Sequence, residues 1–149
     1  MQLAQQWARL STKPGGKWLF SVMAGRFAPY TGTIKSRVQE IEAGRAVVTL
    51  RDRRKVRNHL KSVHATALVT FGEFASGLAM LAGMPPKLRA IVTKIEIEYL
   101  KKARGTLTAH GAAPIPDGEE RREYIATASI RNEDDEEVAR MNVTWLVGP

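Results

Sequence analysis

The chain contains no cysteine, which excludes a disulfide framework, a thiolate nucleophile and a zinc ribbon, and suits a reducing cytoplasmic interior. Histidine is nearly as scarce. The three residues His59, His64 and His110 fall into no His-Glu-x-x-His or comparable ligand spacing, so no metal is expected. Aromatic residues are few, and none interrupts the basic run from Arg51 to Arg57. Without stacking platforms between the cations, a nucleic-acid partner is not expected. Internal repeats, heptad runs and low-complexity linkers are also absent. Met1 to Leu10 carries Trp7 and Arg9 in place of a basic head and an unbroken apolar stretch, so it does not read as a secretory signal.

What is present is a chain of 149 residues, 44% hydrophobic, enough to bury one core without metals or staples. A single domain over residues 1–149 is expected, with residues 1–30 as a helical extension packed on it. The formal charge of +8 attracts anions of any kind: nucleic acid, an anionic lipid surface or a phosphorylated ligand. Cations gather at Arg51 to Arg57 and Lys87 to Arg104, and acids at Glu133 to Glu137. One stretch, Val63 to Met84, is apolar and long enough to raise the question of a membrane, since a span takes roughly 20 such residues. Glu73 would sit at its midpoint, where lipid makes a carboxylate costly, so it reads as a buried core helix and no membrane partner is expected.

The first thirty residues show two helical stripes, Leu3, Trp7 and Leu10, then Trp18, Leu19, Val22, Met23 and Phe27, separated by Pro14-Gly15-Gly16 and ended by Pro29. Alternation from Thr33 to Arg51 around Glu42-Ala43-Gly44 predicts a hairpin. After an irregular piece, Asp52 to Ser62, comes the long helix, apolar on every side and so expected to be surrounded, with Gly83 and Pro85-Pro86 as its stop. Ile91, Thr93, Ile95, Ile97 and Tyr99 then point one way and Lys94, Glu96 and Glu98 the other, as in a half-buried strand. Similar alternation marks Gly105 to His110, Glu123 to Arg131 and Arg140 to Val147. A helix followed by a curved antiparallel sheet able to wrap it is an α+β arrangement. The final strands of such a sheet would carry open edges that a second copy could cover. Trp7, Trp18 and Trp145 read as core or interface anchors.

Glu73 is the only charged side chain between His64 and Lys87. Burial disfavours its charged form, and perturbed acids of this kind are enriched at active sites, although a core glutamate bonded to a helix N-terminus, an arginine or a partner chain leaves the same signature.

Ahead of it runs Asn58-His59-Leu60-Lys61-Ser62-Val63-His64-Ala65-Thr66, with Glu73 nine positions beyond His64. This pattern resembles the hotdog-fold acyl-CoA thioesterases related to the phenylacetyl-CoA and 4-hydroxybenzoyl-CoA enzymes. There Asn-x-x-Gly-x-x-His-Gly-Gly enters the central helix and an acid follows nine after the histidine. Ile97-Glu98-Tyr99-Leu100-Lys101-Lys102-Ala103-Arg104-Gly105 is similar to their downstream strand-turn-strand segment, and the order of elements resembles a bacterial branch of that superfamily over nearly the whole chain.

The resemblance implies a hotdog fold, a long central helix wrapped by a curved antiparallel sheet, here with extra N-terminal helices. It also implies hydrolysis of acyl-CoA or a related acyl thioester to acid and thiol, by a homodimer or a dimer of dimers. No cofactor is implied beyond coenzyme A as part of the substrate. Carried over, the N–H at Ala65 polarises the thioester oxygen, Asn58 holds the carbonyl or the attacking water, and Glu73 acts as general base or as nucleophile forming an anhydride, with His64 a lesser candidate. Thr66, Ser76 and Gly77 would line the substrate, and Arg57, Lys101, Lys102 and Arg104 would face the nucleotide phosphates. Lys61 stands where the motif has glycine and Ala65-Thr66 where it has Gly-Gly, so the backbone is expected to be less free to adopt positive φ. A non-catalytic acyl-CoA-binding or regulatory hotdog is the alternative.

Helix geometry adds an independent constraint. Nine residues rise about 13.5 Å and turn through roughly 900°, leaving His64 and Glu73 on opposite faces. One helix cannot bring both to one carbonyl; an antiparallel twin about a twofold axis can.

Overall fold

The structure, a computed structural model, describes residues 3–149; the first two positions of the expected N-terminal extension, Met1 and Gln2, lie outside the described residues. Helices α1 (Leu3–Ser11), α2 (Gly16–Phe27) and the single turn α3 (Pro29–Gly32) precede a hairpin of β1 (Arg37–Glu42) and β2 (Arg45–Leu50). A 3₁₀ turn at Arg54–Val56 leads into α4 (Ala65–Gly83), and then β3 (Arg89–Tyr99), β4 (Leu107–Ala112), β5 (Arg122–Arg131) and β6 (Glu137–Gly148) follow.

All pairings in the six-stranded sheet are antiparallel, in the order β1-β2-β4-β5-β6-β3. The alternating apolar residues of β6, Met141, Val143, Trp145 and Val147, turn inward and meet α4, whose Leu68, Phe71, Ala75, Leu78 and Met80 are buried in the same cluster. Fully burying each such side chain contributes about 1.5–3 kcal/mol. By length and composition α4 could cross a membrane, yet it packs against all six strands as a core helix. It approaches β4 so closely that a Cβ on Gly111 would stand 2.2 Å from the Ala75 carbonyl oxygen. This is the expected α+β hotdog arrangement, with an open sheet.

The predicted hairpin turn fastens the C-terminal half of α4. Gly44 takes φ 77°, a conformation open to glycine at little cost, and its N–H donates to the Ala79 carbonyl at 3.1 Å while its carbonyl accepts from Ala113 at 2.9 Å. The N-terminal helices are tied on by Ser21, whose hydroxyl accepts the Val38 N–H at 2.9 Å and donates to Lys17 O at 2.8 Å.

Five expectations change. On α2 the buried residues are Gly16, Phe20 and Ser21, whereas Trp18, Leu19, Met23 and Phe27 are exposed. The helix is apolar nearly all round, so its orientation is set by the Ser21 bond and by Phe20 meeting Trp7 edge to face at 5.1 Å, not by the longest apolar stripe. For the same reason Trp18 is no core anchor, unlike Trp7 and Trp145. Helix α4 is not surrounded on every side, because Glu73 and Phe74 are half-buried and Leu81 is exposed along one flank. On β3 a bulge at Thr93, between the pairs Val92↔Trp145 and Lys94↔Thr144, puts Ile91 opposite Leu146 and therefore on the outer face. Finally, the open edges are β1 and β3; the last strand, β6, is interior, its 12 residues long enough to pair with two neighbours.

Candidate active site

The loop before α4 is organised by Asn58. Its Oδ1 accepts from Leu60 N at 2.9 Å, Ser62 N at 3.2 Å and Ser62 Oγ at 3.3 Å, while its Nδ2 has no partner among the described residues. Held this way, Lys61 adopts φ 58°. The glycine-like conformation is thus kept by a lysine, contrary to the expected loss of positive φ, because the side-chain turn supports it against a cost of about 1–2 kcal/mol. Ala65 and Thr66 take no positive φ; they form the first helical turn, where glycine confers no conformational advantage.

His64 is the N-cap of α4, with Nδ1 accepting the Thr66 N–H at 3.1 Å and lying 2.8 Å from the Thr66 hydroxyl. The imidazole and Thr66 are therefore engaged with each other at the helix start. At the first helical position the Ala65 N–H has no intrahelical carbonyl to meet, and the helix dipole adds partial positive charge there. Tyr99 from β3 closes over this end, its hydroxyl donating to the Ala65 carbonyl at 3.1 Å.

Glu73 lies eight residues further on, about 12 Å along the helix. Its carboxylate makes no hydrogen bond or ion pair with the described residues, and desolvation by burial raises its pKa above the ordinary 4.5. Ser76 is buried, and its hydroxyl returns to the Glu73 carbonyl at 2.9 Å. Gly77 lets the Trp145 ring approach the helix closely: a Cβ there would be 3.2 Å from that ring and 4.0 Å from Glu73 Oε1. Trp145, read from the sequence as a core or interface anchor, also forms a wall beside the acid with its ring, and its buried Nε1–H has no acceptor among the described residues. Its place on the inward register of β6 was the one signal available for this.

Glu73, Gly77 and Trp145 share a groove of about 670 Å³ running between α4 and the N-terminal helices, with Phe20, Met23, Phe27, Leu78, Leu81 and Met84. A second groove of about 670 Å³, bounded by Trp18, Arg26, Lys35 and Arg37, adjoins it at Thr31 and Phe74. Among the described residues no group of three or more His, Asp or Glu side chains is placed to hold a metal ion.

The basic candidates are dispersed. Arg57 is ion-paired to Asp52 at 2.6 Å, and that guanidinium, aided by the Gly105 N–H, holds the Asp52 carboxyl below its ordinary range despite burial. Lys101 pairs with Glu136, Arg104 donates to Leu60 O at 3.1 Å, and Lys102 is exposed. Thus Asn58, His64, Ala65, Thr66 and Arg104 gather around the start of α4 and its preceding loop, while Glu73, Ser76 and Gly77 form a separate group at its middle.

The helix laid in an antiparallel sheet makes this a hotdog-fold protein. Its family follows from the sequence: residues 16–147 match the family described as a domain of unknown function, DUF4442, and the chain belongs to it. A crystal structure carrying only a genomics label is 32% identical over 97% of each chain, with a TM-score of 0.83. A mutant of a thioesterase enzyme from Staphylococcus aureus superimposes with a TM-score of 0.72 at 20% identity, over 81% of this chain and 99% of that one. A Streptococcus mutans protein bound to acetyl CoA gives a TM-score of 0.64 at 26% identity, over 74% of this chain and 86% of that one. Among curated proteins none matches the sequence.

Proposed function

We propose that the protein is a cytoplasmic thioesterase that hydrolyses acyl-CoA, or a related acyl thioester, at a site shared by two subunits of a homodimer. The observation that carries this reading is Glu73, an acid with no partner among the described residues, in the wall of an apolar groove. A carboxylate whose proton affinity is raised by burial is suited to general-base work near neutral pH. The Ala65 N–H, the best-placed donor for an oxyanion, is too far along the same helix to serve the same carbonyl.

In the dimer, the partner subunit's Ala65 N–H faces Glu73 of the first. Water attacks the thioester carbonyl carbon as Glu73 accepts its proton; the oxyanion forms against the Ala65 N–H; the C–S bond breaks and the thiolate leaves with the proton from Glu73. Removing one such N–H donor typically costs about a hundredfold or more in rate. Support for the dimer comes from β3, an unpaired edge whose helix-facing Ile95 and Tyr99 remain exposed. The likeness to a thioesterase and to an acetyl-CoA complex agrees with the substrate class.

The test is thiol release from a panel of acyl-CoAs by purified protein and by Glu73→Gln, with sedimentation to establish the assembly. Undiminished turnover in the variant, or an active monomer, would reject the mechanism. One feature favours the alternative of an acyl-CoA binder without turnover: His64 already occupies the Thr66 N–H, leaving fewer free donors at the helix start. Tight binding of acyl-CoA with no thiol released would establish that alternative.

A further inference from the structure

We infer that the groove between α2 and α4 is an acyl-chain channel, and that the substrate carries a long aliphatic chain rather than an acetyl-sized group. The inference rests on the thioesterase reading for the position of the thioester, but the channel itself is argued from its lining. Glu73 is its only charged wall residue among those described. Apart from the uncharged Gln6 and Thr31 the remaining wall is apolar and conformationally adaptable, with Met23, Leu81 and Met84 at the opening and Trp145 beside the acid.

The adjoining groove has the opposite chemistry, with Arg26, Lys35 and Arg37 on its wall. An ionised phosphate would find cations there and only a carboxylate here, so the apolar groove suits the chain end of a thioester and not its nucleotide end. Size points the same way. At about 670 Å³ the groove falls within the roughly 300–1,000 Å³ of sites that bury drug-sized ligands, and a two-carbon acyl group would leave most of it unfilled. The exposed Met23, Phe27 and Leu81 along its lip gain cover when a chain lies between the helices.

Two measurements on the full chain test this. The first is kcat/KM for saturated acyl-CoAs of increasing length, expected to rise by up to about fourfold per buried methylene before levelling off. The second is calorimetric binding of S-dodecyl-coenzyme A against S-ethyl-coenzyme A, thioethers that cannot be hydrolysed, with the long chain expected to bind at least about a hundredfold tighter. Met23→Asp and Leu81→Asp, both at exposed positions, should flatten both dependences, whereas Ile125→Asp, exposed on β5, should keep them. Thermal melts establish that each variant is folded.

Thiol release with no chain-length dependence would overturn the channel and leave the thioesterase reading intact. Chain-length-dependent binding, lost in Met23→Asp, with no hydrolysis of any thioester would uphold the channel and reject the enzyme. If Met23→Asp and Leu81→Asp instead change the sedimenting species without altering length selectivity, the groove is a contact between subunits and the inference fails.

Discussion

Asn58 allows its two halves to be tested separately. Its carbonyl oxygen holds the loop before α4, whereas its amide nitrogen is free to meet a substrate. In Asn58→Ala the loop loses two backbone bonds and a weaker hydroxyl bond. Each ordinary hydrogen bond contributes about 0.5–1.5 kcal/mol net, and an unsatisfied buried donor costs more. Leu60 is exposed, so water can replace its partner; Ser62 is only 4% exposed, so its N–H cannot be rescued as easily. Lys61 then loses the support for its positive φ, and relaxation of the loop limits the total. The expected loss is about 2 kcal/mol, a fall of about 4–8 °C in thermal midpoint for a chain of this size. Asn58→Asp keeps the acceptor and adds a negative charge near the start of α4, where the dipole favours it. It should melt within about 2 °C of the wild type while lacking the NH2 group, so any loss of turnover in it reports on substrate contact. The measurement is differential scanning calorimetry beside thiol release. An Asn58→Ala protein melting with the wild type, or an Asn58→Asp protein falling as far as the alanine variant, would refute the division of roles.

Glu73→Gln should lower kcat by about a hundredfold to ten-thousandfold if the acid is the general base, without lowering stability at neutral pH. Because the folded-state pKa is raised by burial above the ordinary 4.5, the glutamate's contribution weakens as pH rises from the unfolded value through the folded one. The variant's advantage in melting temperature should therefore grow as pH rises above the ordinary 4.5, persist at higher pH, and vanish on the acid side. Arg57→Ala should destabilise through Asp52, whose folded pKa is lowered from 3.8, chiefly by the Arg57 bond. That contribution is present above the unfolded value and lost as pH falls through the folded one, so the difference in melting temperature between the two proteins should shrink in strong acid, and KM should respond less than stability does. Gly111→Ala should cost about 3 kcal/mol, read by urea denaturation, since the added methyl group meets the backbone of α4 and not a side chain that can swing away.

The elements with a strong local signal were legible: the Gly44 turn with its two strands, the inward alternation of β6, and the extent of α4 between Ser62 and Pro85. So was Glu73, because a charge is conspicuous in an apolar helix. What escaped were matters decided by a neighbour. The facing of α2 depends on a single hydroxyl meeting β1, the displacement of Ile91 on a bulge against β6, and the edge position of β3 on which strands pair. None of these leaves a periodicity in its own segment. Lys61 is the converse case, where a residue rule predicted a restricted backbone and a side chain three positions earlier removed the restriction. The sequence resemblance brought Asn58, His64 and Glu73 into one list, helix geometry already set His64 and Glu73 apart, and the structure adds Asn58 to the loop-and-cap group and Trp145 to the acid-and-groove group.

The second group concentrates local irregularities found in few other parts of the molecule. An acid without a partner, a glycine inside a helix and an indole N–H without an acceptor all adjoin one another at Glu73, Gly77 and Trp145. Two of the three have a simple stabilising replacement: an apolar residue for the acid, or alanine for the glycine if the tryptophan yields slightly, which would gain about 1 kcal/mol of helix propensity. The indole is the only buried side-chain polar group without a partner among the described residues, so polar satisfaction is otherwise thorough. A chain shaped by stability alone would have little reason to leave three such faults in contact. Their contact along one groove is what a site would require: space beside the helix, a carboxylate with raised proton affinity, and a rigid aromatic wall to fix where a bound group can lie.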